Sequence, residues 1–394
     1  MHGVPADAIG LVAAFSDIDG LVRLAAVCRS WRASLPASVQ IVRLRDVRAL
    51  RWSPNTAAEH LVVDMRDGAI GGNDSHHSHA PFLLYLTLEQ MLRRGAARPA
   101  TLVLRWPRRV LVPWAVGHAA VMTPVANGTI LSLLTDHLED RPRCRVADLR
   151  LLCLEDTQVL PEDLLRLVCA CQGVAALTLE CNACGGRPFK EWLGPLLAKP
   201  LHTLRLRLHI HGTTNVSRQL GDAFGAAACG HGGLQQLELL LHAHGQQCVL
   251  PSSLLAWLTS PALCGLRRLR LILGGELALL FPVNTAVGGL PQLEFLGLDV
   301  SRTGLGVSPL CLLLEHFASA VTTGGGLRLY VAAEGNDLGS AALWPRLSTA
   351  LCAFGADRLR ECHLWLAGNP RCGPPPAAIQ AITRVVVHGV ADHH

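Results

Sequence analysis

Three groups of side chains in this sequence have the types and spacing that metal or acid-base chemistry requires. His209-Ile210-His211 and His242-Ala243-His244 are two imidazole pairs at equivalent offsets of neighbouring periodic segments, with Cys184 and Glu276 at the matching offset on either side. Imidazole binds transition metals and titrates near neutrality, so four of them close together would make a metal or pH-sensing patch. Cys169, Cys171, Cys181 and Cys184 supply four thiols within one segment, the donor set of a structural zinc site. A polar insertion, GGNDSHHSHA from Gly71 to Ala80, carries three more histidines.

Each group also has a simpler reading, and the simpler reading is preferred. His209 and His242 stand where a side chain can bond the backbone of a turn, leaving His211 and His244 in solvent. Cys169 falls in a helical pattern and Cys181 at a strand core position, where free cysteine packs as a small hydrophobe. A mobile polar loop seldom holds the fixed geometry that a metal needs. Gly324 to Gly326 precede a strand, so they read as a turn and not as a phosphate-binding loop. No nucleophile elbow, phosphate loop or zinc-protease helix is present, and the expectation is a protein that is not an enzyme, with no metal and no cofactor.

Half of the 394 residues are apolar, 5% are aromatic and 16% are charged, against a usual charged share of about 25%. Such a chain builds its core from aliphatic layers. The net charge of +5 is dispersed, without a basic block, which argues against nucleic acid as a partner. The opening MHGVPADAIG lacks the basic and apolar regions of a signal peptide. Val110 to Met122 is the longest span-like run and is broken by Pro113 and His118, short of the roughly 20 residues a bilayer demands. The expectation is a cytoplasmic and/or nuclear protein without a membrane partner, its 14 cysteines reduced.

The elements that must position any site come from a pattern, Leu-x-x-Leu-x-Leu, recurring down the second half of the chain. It reads Leu149-Leu152-Leu154, Val174-Leu177-Leu179, Leu201-Leu204-Leu206, Leu234-Leu237-Leu239, Leu266-Leu269-Leu271 and Leu293-Leu296-Leu298, with degenerate copies at Leu327-Leu329-Val331 and Leu359-Cys362-Leu364. The central anchors lie 25 to 35 residues apart. Between them are helical patterns, for example over Pro161 to Cys171, Pro309 to Val321 and Leu343 to Phe354. One strand and one helix cannot bury their apolar faces alone, so such units stack. The pattern resembles the leucine-rich-repeat family over residues 149 to 369. The resemblance implies an α/β solenoid, a horseshoe of parallel strands and helices, over 149–394, with 46–148 as divergent repeats carrying insertions. That family places an asparagine three residues after the motif, where its amide bridges adjacent turns. Those positions hold Thr157, Asn182, His209, His242, Gly274 and Ser301, with Ala332 and Ala367 in the degenerate copies, counted five residues from the anchors Leu327 and Cys362, so only Asn182 keeps the amide.

Residues 4 to 32 form a compact helical pattern: Val4-Pro5, Asp7, Ile9, Val12, Phe15, Asp17, Leu21, Arg23, Leu24 and a closing Val27-Cys28-Arg29-x-Trp31-Arg32. This segment resembles the F-box, extending over 1–45 as a small all-α module. The resemblance implies docking onto the Skp adaptor of an SCF-type ubiquitin ligase through Pro5, Ile9, Val12, Leu21, Leu24, Val27 and Trp31. It also implies a cullin ligase complex as partner and a protein substrate held by the repeats. The alternative is a repeat scaffold or regulatory binding protein, without a ubiquitin role, in which these helices only cap the array.

Side chains between the strand leucines point away from the core. Arg205, Arg207, Glu238, Arg270, Asp299, Arg328, Tyr330 and Trp365 are therefore the expected substrate-binding face. The arginines suit an acidic or phosphorylated protein segment, and the aromatics supply apolar anchors.

Overall fold

A computed structural model of the chain describes residues 41–44, 58–64, 97–105, 123–140, 145–155 and 161–183 apart from 172. It also covers isolated positions between 184 and 198 and between 212 and 232, and, with short omissions, 199–211, 233–279, 289–369 and 375–388. The chain divides into two compact units, Met1–Cys181 and Asn182–His394. The candidate adaptor-facing residues Pro5, Ile9, Val12, Leu21, Leu24, Val27 and Trp31 lie outside the described residues, as do the insertion at 71–80 and the helical pattern at 82–94.

In the first unit, strands β1 (Ile41–Leu44), β2 (Ala58–Asp64), β3 (Ala97–Arg105), β4 (Asp148–Glu155) and β5 (Ala176–Ala183) follow one another in sheet order. β1 to β4 pair in parallel. The last described residues of the 1–45 segment are thus a strand and not a helix, as the sequence Ile-Val-Arg-Leu favours. Helix α1 (Thr123–Glu139) buries Leu131, Leu134 and Leu138, and α2 (Pro161–Ala170) buries Leu164, Leu167 and Val168. Both are stripes at helical spacing. Pro161 opens α2, where its missing N–H costs nothing, and Glu162 and Asp163 complement the dipole of the first turn. Arg166 of α2 bonds Asp136 and Glu139 of α1.

The first copy of the motif needs a correction. Leu149 and Leu151 are fully buried and Leu152 is half-buried, so the inward residues are Val146, Leu149 and Leu151, and Leu152 is not among them. The run of leucines offers both phases. Pairing against the buried Leu102 and Leu104 of β3 selects one, because a slip by one residue would turn every side chain to the other face.

The second unit contains β6 (Thr203–His211), β7 (Gln236–His244), β8 (Cys248–Leu250), helix α3 (Ser252–Leu258), β9 (Arg268–Gly274), β10 (Leu277–Leu279) and β11 (Phe295–Asp299). These are followed by α4 (Val307–Ala320), β12 (Leu327–Ala332), α5 (Leu343–Cys352), β13 (Leu359–Trp365) and β14 (Val385–His388). Strands β6, β7, β9, β11, β12, β13 and β14 are parallel neighbours in that order, while β8 and β10 pair separately. Parallel neighbours need a crossover between them, and α4 and α5 supply two, burying Leu310, Leu313, Leu314 and Phe317, and Leu347 and Leu351.

Two rows of side chains cross this sheet from β6 to β13 and form the core. The first is Leu204, Leu237, Leu269, Leu296, Leu329 and Cys362; the second is Leu206, Leu239, Leu271, Leu298, Val331 and Leu364, none more than 2% exposed. Each buried leucine contributes about 1.5–3 kcal/mol relative to exposure. A third inward residue follows along all six, at Leu208, Leu241 and Leu273 in β6, β7 and β9 and, just past the ends of the last three strands, at Val300, Ala333 and Leu366.

Three residues beyond each of the last three stand Thr303, Asn336 and Asn369, all buried. Asn336 accepts the backbone N–H groups of Thr303 (3.0 Å) and Leu305 (3.3 Å) and donates to the Val300 carbonyl at 2.8 Å. Asn369 accepts the N–H of Asn336 at 3.1 Å and donates to the Ala333 and Leu366 carbonyls. The bridging amides therefore sit later than the sequence pattern placed them, Asn369 two residues after Ala367 and Asn336 four after Ala332. Among the described residues, no helix is long and apolar enough to cross a membrane.

Candidate binding groove on the outward face of the sheet

Because the leucines point inward, alternate residues of the second unit's strands point outward, and the parallel register aligns them in rows. The first row is Thr203, Gln236, Arg268, Phe295, Arg328 and Glu361. The second is Arg205, Glu238, Arg270, Gly297, Tyr330 and His363. The third is Arg207, Leu240, Ile272, Asp299, Ala332, Trp365 and His388. The first two rows from β6 to β12, with Asp299, Ala332 and Trp365 of the third, floor an open groove of about 780 Å³.

Arg205, Glu238, Arg270, Asp299, Arg328, Tyr330 and Trp365, seven of the eight residues named from sequence, line that groove. Arg207 does not; it stands one row beyond Arg205, opposite Leu240. Its Nη2 donates to Glu238 Oε1 at 3.0 Å, while Arg205 Nε lies 4.0 Å from Glu238 Oε2. Both arginines are more than 40% exposed against 18% for Glu238, and solvent screening limits such pairs to about 0–1 kcal/mol. The pairing orients the arginines more than it stabilises the sheet. Among the described residues, Arg268, Arg270 and Arg328 have no acidic partner.

Sequence reasoning missed Arg268, Phe295 and Glu334, which also line the groove. It counted two outward residues per strand, whereas the strands extend one outward position earlier. Alternation carried one step back from the second leucine of the motif would have found the first two. Arg268 Cζ lies 5.1 Å from the Phe295 ring centroid, a cation–π contact. A Cβ on Gly297 would lie 3.0 Å from the Phe295 ring and 3.5 Å from Arg270, so glycine there lets both side chains lean over the floor.

On the β12 to β14 side the groove borders a ladder of rings. Tyr330 stacks on His363 (centroids 4.8 Å) and contacts Phe295 (5.2 Å), and Trp365 stacks on His388 (4.7 Å). His388 was missed because the sequence past residue 369 carries no leucine motif. The Tyr330 hydroxyl donates to Glu361 Oε1 at 2.6 Å, and this bond holds its pKa above the ordinary tyrosine value.

The histidine pairs are brought together in part. The rings of His209, His242 and His244 lie 4.3–6.1 Å apart, with His244 Nε2 3.4 Å from His209 Nδ1. His209 and His242, expected at a turn, lie instead within strands β6 and β7. Gly274, beside them in register, is required: a Cβ there would sit 2.1 Å from His242 Nδ1. Of the four clustered cysteines, Cys171 and Cys181 are buried and Cys169 is exposed, while Cys184 lies outside the described residues. Among the described residues, no group of three or more His, Cys, Asp or Glu side chains is arranged to hold a metal ion.

No protein-family model matches the chain, and no curated protein is significantly similar to it.

Proposed function

We propose that this is a non-catalytic leucine-rich-repeat protein that holds a protein segment on the outward face of its parallel sheet. We further propose that it does so as the substrate-recognition subunit of an SCF-type ubiquitin ligase in the cytoplasm or nucleus. The observation that carries the binding role is the groove, where Arg268, Arg270 and Arg328, without acidic partners among the described residues, and a stacked aromatic border occupy the face opposite the buried leucine rows. Arginine and aromatic residues in such a setting are the usual anchors of a protein interface. The repeat reading is supported by the two leucine rows in register and by the amides of Asn336 and Asn369 bridging successive segments. The ubiquitin role rests on the sequence pattern from Val4-Pro5 to Trp31-Arg32. The transfer chemistry would belong to the ligase complex.

A pull-down of the full chain with purified Skp adaptor tests the assignment. The expected result is retention of the adaptor, lost when Leu24→Ala is combined with Trp31→Ala. Absence of binding, under conditions where a standard F-box protein binds, overturns the ubiquitin role and leaves a repeat scaffold. Retention by the double variant overturns the assigned contact.

A further inference from the structure

We infer that the groove selects a bipolar peptide, in which an acidic residue and a basic residue lie two to four positions apart in one fixed order. This deepens the binding role proposed above and rests on it. The charged residues lining the groove are Arg205, Arg268, Arg270 and Arg328 against Glu238, Asp299 and Glu334. They are not mixed. The first two outward rows hold every one of the arginines, with Glu238 beside Arg205 and Arg207. Beyond those rows, towards the C-terminal ends of the strands, the lining charges are Asp299 and then Glu334, both acidic and both without an ion-pair partner among the described residues. The sign of the groove therefore inverts along the strand direction.

The inversion sets a length. Arg270 and Asp299 are one row apart, and Arg328 and Glu334 are three rows apart, on a strand spacing of about 3.3 Å per residue. A peptide extended along the strands has the same rise, so its acid over Gly297, beside Arg270 in register and one row beyond Arg328, puts a base two to four residues away over Asp299 or Glu334. A uniformly acidic segment would meet two uncompensated carboxylates at its far end, and like charges in register repel. The acidic or phosphorylated partner suggested by the arginines alone is half of the requirement.

The test is selection of a displayed random twelve-residue peptide library on the full chain. Enriched peptides should carry Asp or Glu and Lys or Arg two to four residues apart, always in the same order. A chain carrying Arg270→Glu with Arg328→Glu should bind those peptides at least tenfold more weakly, and one carrying Asp299→Lys with Glu334→Lys should do the same. The four substitutions together should instead enrich peptides of the opposite order. All of these positions are outward-facing, and circular dichroism checks that each variant is folded. Enrichment of acidic peptides without a paired base, or of peptides without charge pattern, overturns this inference while leaving a peptide-binding groove. No enrichment over a variant carrying Tyr330→Ala and Trp365→Ala overturns the binding role and this inference together.

Discussion

Replacing Asn336 with alanine strikes the amide that ties three segments together. Its Oδ1 accepts from the backbone N–H groups of Thr303 and Leu305, both buried, and its Nδ2 donates to Val300 O. The Val300 carbonyl keeps another partner, the Thr303 hydroxyl at 2.8 Å, so it is not orphaned. Two buried donors are, and at roughly 1–3 kcal/mol each the loss is about 2–6 kcal/mol. For a unit of the size of Asn182–His394, this corresponds to a fall in Tm of about 4–24 °C, since 1 kcal/mol shifts Tm by about 2–4 °C in that size range. Urea and thermal unfolding followed by circular dichroism give the number. Asn336→Leu is the companion variant, because it restores volume without restoring an acceptor. Both variants should be destabilised. A loss below about 1 kcal/mol in both, or leucine recovering most of the stability, would refute the hydrogen-bond account and leave only a small cavity effect.

Two further outcomes follow from buried groups. His316 on α4 lies among Thr259 Oγ1 and Leu255 O, each 3.2 Å from its Nε2, and burial pushes its pKa below the usual value of 6.5, partly offset by the Leu255 bond. Its neutral form is favoured by folding, so that contribution to stability is full above about pH 6.5 and is lost as pH falls below it towards the lower folded pKa. Urea midpoints between pH 7.5 and 5.5 should decline more steeply for the native chain than for His316→Gln, and equal slopes would exclude His316 as the cause. Burial raises the thiol of Cys311 to about 11 and that of Cys362 to about 12, whereas Cys169, Cys264 and Cys352 are exposed. Iodoacetamide at pH 8 followed by mass spectrometry should label the exposed three and spare Cys311 and Cys362 until the chain unfolds; labelling of Cys362 in the folded chain would contradict its placement in the inner row.

The inner rows were legible because leucine at period two leaves one choice of face in most copies, as at Leu237 and Leu239. The outer face followed from the same alternation, and seven of eight named residues line the groove. Where the sequence misled, it was locally ambiguous. Leu149 to Leu154 can satisfy either phase, and only pairing with β3 decides between them. The bridging amides were misplaced because Val300, Ala333 and Leu366 extend the inward set by one position using residues that do not advertise a core role, Ala333 above all. Arg207 looked equivalent to Arg205 in sequence, and only the register shows that it stands one row further along, opposite Leu240 and outside the groove. Glu334 follows the end of β12, so no strand pattern marks it as part of the groove.

The alternation along β6 to β13 also separates two kinds of heritable change. A substitution at Leu239 or Leu271 is answered by stability, whereas one at Arg270 or Asp299 touches solvent and is answered by what is bound. Drift on the outer rows can therefore explore new partners while the inner rows hold the chain folded. For an engineer the same division marks a library: randomising the groove positions and fixing the leucines should give a collection of folded proteins that differ only in what they recognise.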